Sequence, residues 1–106
     1  MPSAAFETIR QAIDAKCSVS AIYQGHPREM SPHVLGYKHG SEHALLYQFG
    51  GTSSSGLGAI GSARNWRCVF IDQLSDVTMI PGRFETAPTH SRPQTCVDEV
   101  VAVVRY

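Results

Sequence analysis

Apolar positions at three- and four-residue steps open the chain. Phe6, Ile9, Ile13 and Cys17 share one face of a helix over residues 3–17, and Glu7, Arg10, Gln11 and Asp14 occupy the other side. Ser3 supplies the side-chain oxygen that caps the first amides. From Cys17 the period falls to two: Val19, Ala21 and Tyr23 alternate with Ser18, Ser20 and Ile22, the pattern of a half-buried strand. The stretch "QGHPRE" turns the chain, because Gly25 is permissive and Pro27 has a fixed φ. A second strand, "REMSPHVLGYK", contains Pro32, which has no amide proton and belongs at an edge, a bulge or a strand's end. "HGS" at 39–41 is a tight turn. The third strand, "EHALLYQFG", puts Leu45, Tyr47 and Phe49 on one face and Ala44, Leu46 and Gln48 on the other.

Residues 50–64 hold five glycines and four serines, a composition that builds a long loop rather than a core element. A fourth strand follows, with Trp66, Cys68 and Phe70 on one side and Arg67, Val69 and Ile71 on the other. "DVTMI" makes a short fifth strand that Pro81 and Gly82 end. Residues 83–94 are rich in proline and turn formers and are expected to lie extended over the surface. In the tail, Val97, Val100, Val101 and Val104 fit a helical stripe, with Thr95 and Asp98 as a capping box. The same valines suit a strand; the helix is the favoured reading.

One helix and five short strands joined by tight turns predict a single mainly β domain over residues 1–106. The economical arrangement is a small SH3- or Sm-like five-stranded β-barrel over 18–84 that closes its own edges, with the N-terminal helix across one end and an 85–106 tail. The length suits one compact core.

Composition adds little. Nine cations balance nine anions, so the bulk charge of a general nucleic-acid or membrane binder is missing, although a local patch is compatible with it. Seven of the nine cations are arginine, the side chain whose planar fork suits carboxylate and phosphate. Three widely spaced cysteines contain no CxxC pair, and buried free thiols in a reducing compartment are the simplest expectation. With a charged start and no apolar run of membrane length, a cytoplasmic protein without membrane contact is expected.

The order of "IRQAID", "SAIYQGHPREMSPHVLGY", "HALLYQFGG" and "NWRCVFIDQLSDV" resembles the WYL-domain family over roughly residues 8–84. Tyr23, Arg28 and Pro32 match its pattern of a first strand ending in an aromatic, followed after a short turn by a basic residue and then a proline. Leu45, Leu46 and Tyr47 stand where the family has its signature triplet, with leucine in place of tryptophan. Arg67, Phe70 and Asp72 match a later strand, and Gln73 replaces a second arginine. The resemblance implies a helix-plus-Sm-like barrel, and ligand or single-stranded nucleic-acid binding in bacterial transcriptional regulators.

The candidate site is a patch of Arg28, His33, Tyr47, Gln48, Arg64, Trp66 and Arg67. Arg28, Arg64 and Arg67 would bind anions, Tyr47 and Trp66 would wall the pocket, His33 and Gln48 would read polar groups, and the loop at 50–61 would form its rim. Strand parity sets Arg67 opposite Trp66, so a shared pocket needs a twist or bulge there. Cys68 is expected as a small buried hydrophobe rather than a nucleophile. His26, His33, His39 and His43 lack a completing ligand set for a metal. The expected function is non-catalytic and cofactor-free: binding of an anionic small molecule or short single-stranded nucleic acid. The rival is an interaction or oligomerisation module using barrel edge strands and the valine stripe, for which a homodimer is the cheapest outcome.

Overall fold

The computed structural model describes residues 3–51, 65–86, 94 and 96–104. Helix α1 (Ala4–Ala15) forms where the apolar spacing demands it. Ser3 Oγ accepts the Phe6 amide proton at 3.1 Å and closes the N-terminus. The same hydroxyl donates to Glu42 Oε1 at 2.6 Å, and the Ser3 amide donates to Glu42 Oε2 at 3.0 Å, so the helix start is pinned to the sheet. At the other end Lys16 takes a left-handed conformation, and bonds from Lys16 N to Ile13 O and from Cys17 N to Ala12 O reverse the chain into the first strand.

The strands are β1 (Ser18–Tyr23), β2 (His26–Lys38), β3 (Ser41–Gly51), β4 (Trp66–Phe70), β5 (Leu74–Ile80) and β6 (Glu99–Val103). All pairings are antiparallel, in the order β4-β3-β2-β1-β5, with β6 also on β2. Two-residue hairpins join β1 to β2 at Gln24 and Gly25, and β2 to β3 at His39 and Gly40. All four of these residues have positive φ, the backbone of a type I′ turn, whose twist matches that of the strands. Pro32 sits where the β2–β3 register shifts, at a bulge that tolerates a missing donor.

The expected closed barrel is not formed. β4 and β5 end the strand order without pairing to each other, so among the described residues the sheet is open. Closure was invoked to protect edges, and here the helix and the tail cover part of the sheet instead. The tail departs from expectation as well: Glu99–Val103 is a strand on β2, not a helix. Along residues 34–37 of β2, which pair with β3 on one edge and lie beyond the reach of β1 on the other, the β-branched run gains ladder bonds that an isolated helix could not match. Thr95 of the anticipated capping box lies outside the described residues.

α1 packs on one face of the sheet. Phe6, Ile9, Ala12 and Ile13 meet Val19, Met30, Leu35, Leu46, Val69 and Ile71 in one core. Each fully buried side chain of this size contributes about 1.5–3 kcal/mol of transfer free energy. On β4 the core face is therefore that of Val69, whereas Cys68 and Phe70 on the opposite side are exposed, which corrects the expectation of a buried Cys68. On that outer face Val34, Cys96, Val97 and Leu45 form a second, smaller cluster. Gly36 is what lets the tail cross here. A Cβ at this position would collide with the Glu99 carbonyl oxygen and lie 2.7 Å from Val97 Cγ1.

Cys68 and Cys96 are joined in a disulfide that closes 28 residues of sequence, so the expectation of three free thiols fails. Sequence spacing is silent on this pairing, because the two cysteines meet only once the tail crosses the outer face. Cys17 is the free thiol; it is buried, and burial pushes its pKa up. Titration with a thiol reagent is expected to count none in the native protein, one after unfolding, and three after unfolding with reductant. A native count of two would remove the disulfide from this description.

Candidate basic site at one end of the sheet

Register decides which of the anticipated residues meet. Ala21 pairs with Arg28, Met30 with Gln48, and Leu46 with Arg67, and residues paired across an antiparallel ladder share a face. Arg28, Gln48 and Arg67 therefore lie on the helix side of the sheet, where the apolar face gives way to polar positions. Arg28 Nη1 donates to Gln48 Oε1 at 3.3 Å, and Arg67 Nε donates to the same oxygen at 3.2 Å. Gln48 Nε2 donates to Gly50 O at 3.0 Å, which turns the amide oxygen toward the two guanidinium groups.

Arg28 is only 3% exposed. Its guanidinium lies 4.8 Å from the centre of the Tyr23 ring, and its Nε is buried without an acceptor. No salt bridge among the described residues includes Arg28. Burial first, and then the neighbouring charge of Arg67, pull its pKa below the ordinary guanidinium value; Tyr23 acts in the opposite direction. Gly51, at φ +82°, pairs with Arg28, and a Cβ there would collide with the Pro27 carbonyl oxygen. A side-chain-free residue thus lets the end of β3 run close to Arg28. Beside it opens a groove of about 330 Å³ lined by Ile22, Pro27, Arg28, Gly51 and Asp76, among others.

The aromatic half of the anticipated patch lies on the other side. Tyr47 pairs with Trp66 and with Ser31, opposite in parity to Gln48 and Arg67. The Tyr47 and Trp66 rings meet at 4.9 Å, and His33 sits 4.6 Å from Trp66 and 4.9 Å from Phe84. Residues 83–86 lie across this face: the Glu85 amide donates to Ser31 Oγ at 2.9 Å, and the Arg83 guanidinium stacks 4.3 Å from the Phe49 ring. Both His33 nitrogens are engaged. Nδ1 donates to Ser31 O at 2.8 Å, since a carbonyl only accepts, and Nε2 bonds Thr86 Oγ1 at 2.8 Å. His33 is buried with both ring nitrogens bonded, and the Tyr47 ring is fully buried.

One patch has become two faces, linked by the bond from Arg67 Nη1 to Trp66 O at 3.1 Å. Arg64 and most of the rim loop lie outside the described residues. In the sequence Tyr23 is a position of the first strand and part of the family pattern, not a site residue. The signal that places it beside Arg28 is the two-residue turn, which sets the β1–β2 register.

These features define a helix-on-sheet domain with a cluster of two arginines, Arg28 buried and Arg67 half-buried, at one end of the sheet. No family model matches the chain, nor does any curated protein or solved structure.

Proposed function

We propose that this is a non-catalytic binding domain that takes a small anionic, phosphate-like ligand at Arg28, Gln48 and Arg67. The observation that carries the reading is Arg28: a buried guanidinium with an unanswered Nε, a neutral amide as its hydrogen-bond partner, and a second arginine on the same oxygen. Burying a charge without a counter-charge costs several kcal/mol, and an anion held between two guanidinium forks offsets that cost. The resemblance to WYL domains, generally linked to ligand binding in regulators, supports the reading from a second side and adds a regulatory role. A small molecule is favoured over single-stranded nucleic acid because Tyr47 and Trp66, the expected stacking walls, lie on the other face.

No described helix is long and apolar enough to cross a membrane. The expectation of a cytoplasmic setting rests on the charged start, on the lack of an apolar run of membrane length and on free thiols, and the disulfide bears on the last of these. A disulfide persists chiefly in oxidising surroundings, and the Cys68–Cys96 bond speaks for such a compartment.

Calorimetric titration with inorganic phosphate, a nucleoside diphosphate and a short single-stranded oligonucleotide tests the site. The diphosphate is expected to bind, and Arg67→Gln to weaken it at least tenfold, the loss of about 1.4 kcal/mol that one charge-assisted hydrogen bond supplies. The absence of heat from any of the three at millimolar concentration would overturn the reading.

A further inference from the structure

Arg28 makes one hydrogen bond among the described residues, from Nη1 to Gln48 Oε1. Its other edge, where Nε–H runs parallel to an N–H of Nη2, is a two-donor fork, and the Nε of this fork is buried without an acceptor. Two parallel N–H groups fit two oxygens of one carboxylate or phosphate head. Shape alone does not choose between these heads. Charge does.

All nine aspartates and glutamates of the chain lie among the described residues, and none forms a salt bridge with Arg28. Glu29 and Asp76 line the groove beside it without pairing to it. Arg67 brings a second guanidinium to the same Gln48 oxygen, and its charge is felt at Arg28, whose pKa it lowers after burial has done so. A guanidinium keeps its charge across the physiological range. Two positive charges focused on one point attract each negative charge that a single head carries, so the Coulomb attraction doubles from a monoanion to a dianion. A dicarboxylate holds its two charges on heads that a carbon chain separates, whereas a phosphate monoester holds both on one tetrahedral group.

Resting on the anion-binding reading above, we propose that this site selects the dianionic head of a small phosphate monoester over monoanionic heads, both carboxylates and the phosphodiesters of a nucleic-acid chain. A monoester becomes a dianion only above its second pKa of about 6, so binding follows a proton on the ligand. The polar and charged side chains that face Arg28 are Tyr23 from β1, Gln48 from β3, Arg67 from β4, and His26, which pairs with Tyr23 and so shares the Arg28 side of β2. Sulfate stays dianionic throughout, so the ratio of monoester to sulfate affinity cancels any proton that these groups, Glu29 or Asp76 take up.

Calorimetric titration of the whole chain with methyl phosphate, dimethyl phosphate, acetate and sulfate tests the selection. In neutral buffer methyl phosphate is expected to bind about tenfold or more tightly than dimethyl phosphate or acetate. Its affinity relative to sulfate is expected to rise about tenfold from roughly pH 5 to pH 7, as the dianion fraction does. In Arg67→Gln, which keeps one of the two charges, the advantage of monoester over diester is expected to fall below about threefold. Equal binding of monoester and diester, or a ratio to sulfate that stays flat with pH, overturns the proposal while leaving anion binding at Arg28 in place. So does an Arg67→Gln variant that keeps the full preference. Silence from all four anions removes the anion-binding reading itself, and the proposal with it.

Discussion

Reduction of the Cys68–Cys96 bond is expected to lower the unfolding free energy by about 3–4 kcal/mol, the chain-entropy value for a cross-link spanning 28 residues. Such a loss is a large share of the stability of a domain this size. The bond ties the edge strand β4 to the segment that crosses the outer face above Gly36 and covers Val34 and Leu45. That segment has little else to hold it. Val97 and Val104 are buried, but four of the five β6 side chains face solvent, so its attachment rests largely on the β2 ladder, that small cluster and the disulfide. Cys68 is exposed, which leaves the bond open to reductant. Urea unfolding of the wild type with and without reductant, beside the Cys68→Ala/Cys96→Ala double variant, measures the effect. The two treatments should agree, and the double variant should ignore reductant. An unchanged wild-type midpoint would mean that the outer-face crossing holds without its covalent tie.

Arg28→Met is expected to raise stability by about 1–3 kcal/mol while abolishing anion binding, because replacing a buried charge by an apolar side chain of similar volume removes its desolvation cost. Gln48 tolerates the change: its Oε1 still accepts from Arg67 Nε, so no buried acceptor is stranded. The Tyr23 ring, which now lies against the guanidinium, would pack on a thioether instead. Chemical unfolding and calorimetry on the same variant separate the roles. Destabilisation by more than about 1 kcal/mol would identify Arg28 as a structural residue, because an arginine kept for its fold contacts cannot be removed without loss.

Strand positions were readable because they depend on neighbours in sequence. The alternation of Val19, Ala21 and Tyr23, turns at Gly25 and at 39–41, and a ladder irregularity at Pro32 follow from local backbone chemistry, whereas Pro27, expected in the first turn, lies inside β2. The tail was harder. Val97, Val100, Val101 and Val104 satisfy a helical stripe as readily as a strand, and the choice went to whichever partner had a free edge, here residues 34–37 of β2. The basic site was half readable. Parity separated Arg67 from Trp66, but it does not report that Arg28 and Arg67, 39 positions apart, converge on one glutamine oxygen.

By itself the sequence determined where the helix and the first five strands run, which residues share a strand face, and that arginine would be the main cation of any site. Only the tertiary structure decided that the sheet stays open, that Val69 rather than Cys68 faces the core, that Cys68 joins Cys96, and that the tail completes the sheet as β6. The division has a physical cause. Periodicity and turn geometry arise from steric constraints within a few residues, whereas burial, disulfide pairing and strand partnership depend on which distant surfaces compete for the same edge or face.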